Sequence, residues 1–271
     1  MDPLAPLIDA LHSEGRLRVW SLVITVFGDS VQHRGGRIST ARLGRLLGRL
    51  GVEQGALRTA LSRLARDGWV TSERIGRSSV YRLSQSGLSR FTEATGRIYA
   101  PPRAAPVEEW VLALGPGQPG LPLGGGWMLR PGDADGGTMP PSCAVTGSLS
   151  ALSDEMRETL LDEGQRHALE ALSRDLDTIE ALSPDPFDAA AARTLLIHRW
   201  RRIVLRHPEP PDEVLPEDLR KPAPPRARVA RAYRALSPAA ERWFDMQNED
   251  VMDMPCVPAS HVWRFRHSQE T

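Results

Sequence analysis

Apolar residues at helical spacing open the chain. Leu7, Ile8, Leu11, Leu17, Trp20, Val23, Ile24 and Phe27 fall largely on one face, so residues 4–27 are expected to be helical, with a break near Gly15. The stretch GDSVQHRGGRI reads as a loop ending in a short extended piece at residues 37–38. Ser39 and Thr40 offer an N-cap for a helix that buries Leu43, Leu46, Leu47 and Leu50, and Gly51 ends it. Residues 53–67 carry Leu57, Ala60, Leu61 and Leu64 at i, i+3, i+4 and i+7, which is one buried stripe. Gly68 suits the left-handed position after that helix. Residues 69–74 (WVTSER) and 80–83 (VYRL) alternate as strands do and flank a tight connection at 75–79, predicting a hairpin. Residues 84–99 then read as a helix, with Ser86 as a possible cap.

The pattern weakens after a proline-rich linker at 101–106. Short strands are predicted at 109–114, 127–129 and 143–146, separated by glycine- and proline-rich loops at 115–126 and 132–142. Helical periodicity returns at 154–182 and 189–206, then at 227–236 and 239–244. The tail from 245 to 271 has no strong period, and no internal repeat is present. A length of 271 residues suggests two or three domains.

Helix, short turn, helix and hairpin form the order of a winged helix-turn-helix, which inserts its second helix in the major groove of DNA. Removing the buried stripe from 53–67 leaves Gln54, Gly55, Arg58, Thr59, Ser62, Arg63 and Arg66 facing outward. Gln54 and Arg58 are the expected base readers, because carboxamide suits adenine and guanidinium suits guanine. Thr59 and Ser62 suit phosphate or base edges, whereas Arg63 and Arg66 suit phosphates or intramolecular pairs. Arg74, Arg77, Ser78 and Ser79 form the expected wing, reaching a neighbouring backbone segment or the minor groove.

Charge sharpens this picture. Formal net charge is zero, but residues 1–99 hold fifteen arginines against eight acids, and the remainder carries the compensating acidic excess. A basic module on an acidic body fits a DNA-binding unit joined to a ligand or partner unit. Lys221 is the only lysine among thirty-four basic residues, so nearly every cationic contact is a guanidinium. Cys143 and Cys256 make no disulfide framework, and a reducing cytoplasm is expected. No signal peptide or membrane span is visible in the sequence.

Enzymatic chemistry finds no anchor. Gly124–Gly126 lack the lysine and Ser/Thr of a phosphate loop. Cys256, His261 and His267, with His198 or His207, lack the short Cys/His spacing of a zinc site, so no metal and no cofactor is expected. The alternative is a winged-helix protein whose body is a protein-interaction or enzymatic module with no small-molecule effector.

Residues 56–69 (ALRTALSRLARDGW) and 74–83 (RIGRSSVYRL) closely resemble the PaaX family, bacterial repressors of phenylacetic acid catabolism. Residues 97–99 (RIY) ahead of Trp110, 198–208 (HRWRRIVLRHP) and 215–216 (LP) also match, so the resemblance spans the chain. It departs at His207, where the family usually has aspartate, and at Asp218–Pro222, where the family usually has a tryptophan near a glycine. The resemblance implies an α+β multidomain protein: a winged helix-turn-helix over 1–99, a linker at 100–106, a small central ferredoxin-like α/β domain with a connecting helix over 107–182, and a helical effector domain over 183–271. It also implies a non-enzymatic homodimeric repressor on a palindromic double-stranded operator, released by an aryl-CoA thioester such as phenylacetyl-CoA.

A CoA thioester needs several cations beside an apolar slot. Arg199, Arg201, Arg202 and Arg206 fall within eight residues, with Trp200 among them. Arg199, Arg202 and Arg206 share a helical face and Arg201 lies off it, so Arg199, Trp200, Arg202 and Arg206 are the expected effector contacts. The bland alternative is pairing with nearby acids such as Asp175, Asp177 and Glu180.

Overall fold

A computed structural model describes residues 2–15, 17–76, 78–134, 136–246, 254–257 and 264–266. The chain is a mixed α/β protein with two small antiparallel sheets. The first apolar stretch divides where expected, into α1 (Ala5–Ser13) and α2 (Val19–Val26). The helical path then continues as one π-helical turn over Phe27–Val31, where a loop was expected. All five residues of that turn are buried, so packing extends the helix past Gly28.

Strand β1 (Arg37–Ser39) leads into α3 (Thr40–Arg49), which is capped by the Ser39 hydroxyl accepting from the Arg42 amide. Gly51, at φ +79°, turns the chain into α4 (Gln54–Arg66). Strands β2 (Val70–Ile75) and β3 (Ser78–Leu83) form the predicted hairpin, and β1 adds to β3, giving the order β1-β3-β2. Helix α5 (Gln85–Ile98) follows, capped by Ser84 and not by Ser86.

The central sheet joins β4 (Trp110–Leu114), β5 (Leu121–Gly124), β6 (Trp127–Pro131) and β7 (Cys143–Gly147) in the order β5-β6-β4-β7, all antiparallel. A ferredoxin-like fold interleaves its strands with two helices. The order and the antiparallel pairing of these four strands are of that kind, but among the described residues both crossovers, 115–120 and 132–142, are loops where helices were expected. The turn-rich run at 115–126 also hides a strand. Its register shifts between Pro122 and Gly124, and such a bulge accommodates residues that a regular ladder excludes. Trp110, Leu121 and Leu129 pack with Leu160 and Val214 in a small separate core.

The expected helix at 154–182 is two, α6 (Asp154–Leu160) and α7 (Glu163–Glu180), because Asp162 caps a new start through the Gln165 amide. Helix α8 (Pro186–Arg206), the one-turn α9 (Glu217–Arg220) and α10 (Pro225–Asp245) complete the body. Helix α10 runs through Pro238, where two helices were expected. Its face bearing Val229, Tyr233, Leu236, Ala240 and Phe244 is buried, and this packing outweighs the lost backbone hydrogen bond.

One hydrophobic core takes residues from α1–α4 and from α7, α8 and α10. Helix α7, expected with the central domain, therefore packs with the body. Helix α8 is buried nearly all round, with four successive alanines, Ala189–Ala192, that let neighbouring helices come close. Gly28 marks another close approach: a methyl group there would lie 2.0 Å from the Phe91 ring on α5. Gly28→Ala is expected to destabilise the fold by about 1–3 kcal/mol through overpacking. Thermal denaturation checks this, and an unchanged melting temperature would show that Phe91 yields without cost.

Candidate nucleic-acid interface

Helix α4 buries Leu57, Ala60, Leu61 and Leu64, as its stripe requires. Gln54, Arg58, Thr59, Ser62, Arg63 and Arg66 are all exposed along the remaining surface. They hold their positions differently. Arg58 forms no ion pair or hydrogen bond with any described residue, so its guanidinium is free to meet a ligand. Thr59 turns its hydroxyl back to the Gly55 carbonyl at 3.0 Å. Arg63 and Arg66 approach Asp67 at 3.5 and 3.7 Å, exposed contacts of little energy in water. Gln54 lies over Gly44 of α3, where a side chain would collide with its carboxamide.

The hairpin packs on α4 through β2. Arg74 pairs in register with Ser79, and Ile75 with Ser78, so the two strands stay paired up to the connection. Arg74 and Ser79 are exposed, and Arg74 Nε donates to the Gly76 carbonyl at 3.3 Å. Arg77 lies outside the described residues, and Ser78 is placed by its backbone. Across the sheet, Arg37 of β1 pairs with Glu73 of β2 at 3.1 Å.

The four residues expected to hold an effector are not gathered in one place. Arg199 is buried and engaged by two carboxylates, Asp175 and Glu14. Trp200 is buried, donates from Nε1 to the Ile98 carbonyl at 2.8 Å, and carries the Arg226 guanidinium 4.9 Å above its ring. Both serve packing here. Arg202 and Arg206 are exposed on an open cleft of about 1240 Å³ between α8, the α1–α2 corner and one flank of α4. Arg202 pairs with Glu14 at 3.1 Å.

Sequence reasoning set Arg201 aside, yet Arg201 lines that same cleft. Helical spacing defines a face but not the shape of the neighbouring walls, which here reach around α8. His198, beside it, meets the Thr25 hydroxyl through Nδ1 at 3.0 Å, and burial followed by the surrounding arginines pushes its pKa down to about 3. It is therefore a neutral ring at neutral pH.

The described residues contain no group of three or more His, Cys, Asp or Glu side chains able to hold a metal. Cys143 and Cys256 are exposed and free. No helix among the described residues is long and apolar enough to cross a membrane.

Two family models match the sequence. One, described as PaaX-like protein, covers residues 18–87, and the other, PaaX-like protein C-terminal domain, covers residues 152–246. The transcriptional repressor PaaX of Escherichia coli K12 is 28% identical over 282 residues, spanning 90% of this chain and 89% of that protein. The solved structure of the uncharacterized protein Rv0674 from Mycobacterium tuberculosis aligns at 20% identity with a TM-score of 0.49, over 82% of this chain and 95% of that one. The first match contains α3, α4 and the hairpin, and the second contains α8 with its arginines.

Proposed function

Because the chain belongs to the PaaX family, we propose that it is a transcriptional repressor of a phenylacetate-type catabolic operon that reads its operator with α4. The observation carrying this reading is the outward face of α4, with Arg58 uncommitted, on a helix that the hairpin contacts through β2. The order α2-β1-α3-α4-β2-β3, with β1 completing the hairpin sheet, supports a winged helix-turn-helix in which α4 enters the major groove. Gln54 and Arg58 read bases. Thr59, Ser62, Arg63 and Arg66 hold phosphates or base edges, and Arg74, Arg77, Ser78 and Ser79 contact the adjoining backbone or minor groove.

The rest of the chain is the regulatory body. A homodimer binds a palindromic site and an aryl-CoA thioester releases it, as the family resemblance implies. Release requires the ligand to bind the DNA-incompetent state more tightly than the bound one.

Footprinting on the DNA upstream of the chain's own gene, with and without phenylacetyl-CoA, tests both halves. A protected palindrome that reopens with the thioester is the expected result. A thermal shift runs alongside, because a ligand confined to the folded state stabilises it by about 2.7 kcal/mol at one hundred times its dissociation constant. Absence of any protected site would overturn the repressor reading. A protected site that no acyl-CoA affects would overturn only the effector.

A further inference from the structure

The cleft beside α4 is strongly cationic. Arg18, Arg63, Arg201, Arg202 and Arg206 line it, against one acid, Glu14, which Arg199 and Arg202 already engage. Arg201 is half-buried and donates only to neutral oxygens: the Ser21 carbonyl at 3.0 Å, the Thr25 hydroxyl at 3.1 Å and, more weakly, the Ser21 hydroxyl at 3.4 Å. No described carboxylate pairs with it, and burial lowers its pKa from the ordinary guanidinium value. A desolvated cation without a counter-charge is costly, and a bound anion relieves that cost.

Behind it lies a second space. A cavity of about 160 Å³ between α2, α5 and α8 is walled mainly by apolar side chains, Ile24, Trp69, Phe91, Ala94 and Ile197 among them, with Thr25, Asp29, Arg90 and Tyr99 also on its lining. Arg201 and Leu205 belong to the linings of both spaces. An apolar cavity of about 150 Å³ accepts a benzene ring. A cationic cleft sharing a wall with a ring-sized, mainly apolar cavity has the two-part chemistry of a polyphosphate joined to an aryl group.

We propose that the cleft and the cavity are the two halves of one effector site, the cleft taking the phosphates of an aryl-CoA thioester and the cavity its aromatic ring. The assignment rests on the effector reading above and gives it a place in the fold. It also supplies the coupling. Thr59 and Arg63 on the flank of α4 line the cleft, so ligand phosphates draw on the same helix that the DNA backbone requires. Ligand and operator then oppose one another through α4, which is a reciprocal linkage between two sites.

Titration calorimetry of the full chain with phenylacetyl-CoA and with free CoA tests this, using two variants. Ala94→Phe fills the cavity, and Arg206→Ala removes a cleft cation that bonds no described residue. Wild type is expected to bind phenylacetyl-CoA at least about ten-fold more tightly than CoA, a difference of about 1.4 kcal/mol. Ala94→Phe should erase that preference and leave CoA affinity unchanged. Arg206→Ala should weaken both ligands by a similar factor and reduce their salt dependence. Circular dichroism checks the fold of each variant, and should Ala94→Phe fail to fold, Arg206→Ala still decides for the cleft. Both variants binding phenylacetyl-CoA as wild type does would overturn this site while leaving the effector reading intact. Failure of wild type to bind either compound would overturn the effector reading and this inference with it.

Discussion

Arg58→Ala is expected to remove most of the discrimination between operator and random duplex, with no change in melting temperature. The side chain is exposed on the outer face of α4 and bonds no described residue, so the fold loses nothing when it is cut back. A bidentate arginine–guanine contact contributes about 1–3 kcal/mol of base discrimination. On the two-fold operator proposed above the residue is engaged twice, so the loss applies at each half-site. Fluorescence anisotropy with the footprinted site and a scrambled duplex, at several salt concentrations, measures it. Arg74→Ala is the control: with Arg74 in its proposed phosphate-contacting role, taking that cation off the hairpin weakens both duplexes alike and lowers the salt slope by about one. Equal operator affinity for wild type and Arg58→Ala would remove Arg58 from base readout.

The second large effect lies in the interior. Asp29 is 1% exposed and sits 3.0 Å from Arg193 Nε and 3.0 Å from Arg264 Nη1, while Tyr99 donates its hydroxyl at 2.8 Å. The Arg193 contact lies off the hydrogen-bond direction, so it acts as a charge pair. Arg193 also reaches Glu241 of α10, which holds Arg34 as well. Asp29→Asn keeps the shape but leaves two buried guanidinium groups without their shared anion. Breaking a buried pair in this way costs about 3–5 kcal/mol, a large share of the 5–15 kcal/mol that stabilises a typical protein. Urea denaturation should show a clear fall in midpoint, and a loss below about 1 kcal/mol would show that solvent or rearrangement satisfies both arginines.

The same cluster sets the response to acid. Burial raises the Asp29 carboxyl, but Arg193 and Arg264, followed by the Tyr99 hydroxyl, outweigh it and hold the group below its ordinary value. Glu241 behaves alike, with burial opposed by Arg193, His33 and Arg34. Carboxylates with lowered folded values give stability that is fully present above their unfolded values near 4. That stability is lost as pH falls through the folded values. Wild type should therefore lose stability progressively below about pH 4, and Asp29→Asn should show a flatter acid limb.

These two effects differ in how far the sequence foretold them. The stripe at Leu57, Ala60, Leu61 and Leu64 was legible because one buried helical face leaves a periodic trace. Once that stripe is removed, Arg58 follows by subtraction. The hairpin was legible for the same reason, through alternation and turn residues. The Asp29 cluster left no such trace. Asp29, Arg193, Glu241 and Arg264 are spread over some 235 positions, and each alone reads as a surface charge. Arg264 sits in a tail without periodicity, yet Phe265 donates its amide to the Tyr99 carbonyl at 2.9 Å and its ring is buried.

By itself, then, the sequence determined which face of each amphipathic element is buried, the order of helices and hairpin in the first hundred residues, and the family. Those properties reside in local spacing and contiguous motifs. Tertiary structure decided where α8 lies and therefore what its arginines do: Arg199 is neutralised inside, while Arg201, Arg202 and Arg206 face a cleft shared with α4. It also carried α10 through Pro238 and gave the central sheet crossovers that, among the described residues, are loops and not helices. The physical reason is common to all three. Burial against distant elements outweighs local propensity, and charge acquires its role only from the partners that folding brings within a few ångströms.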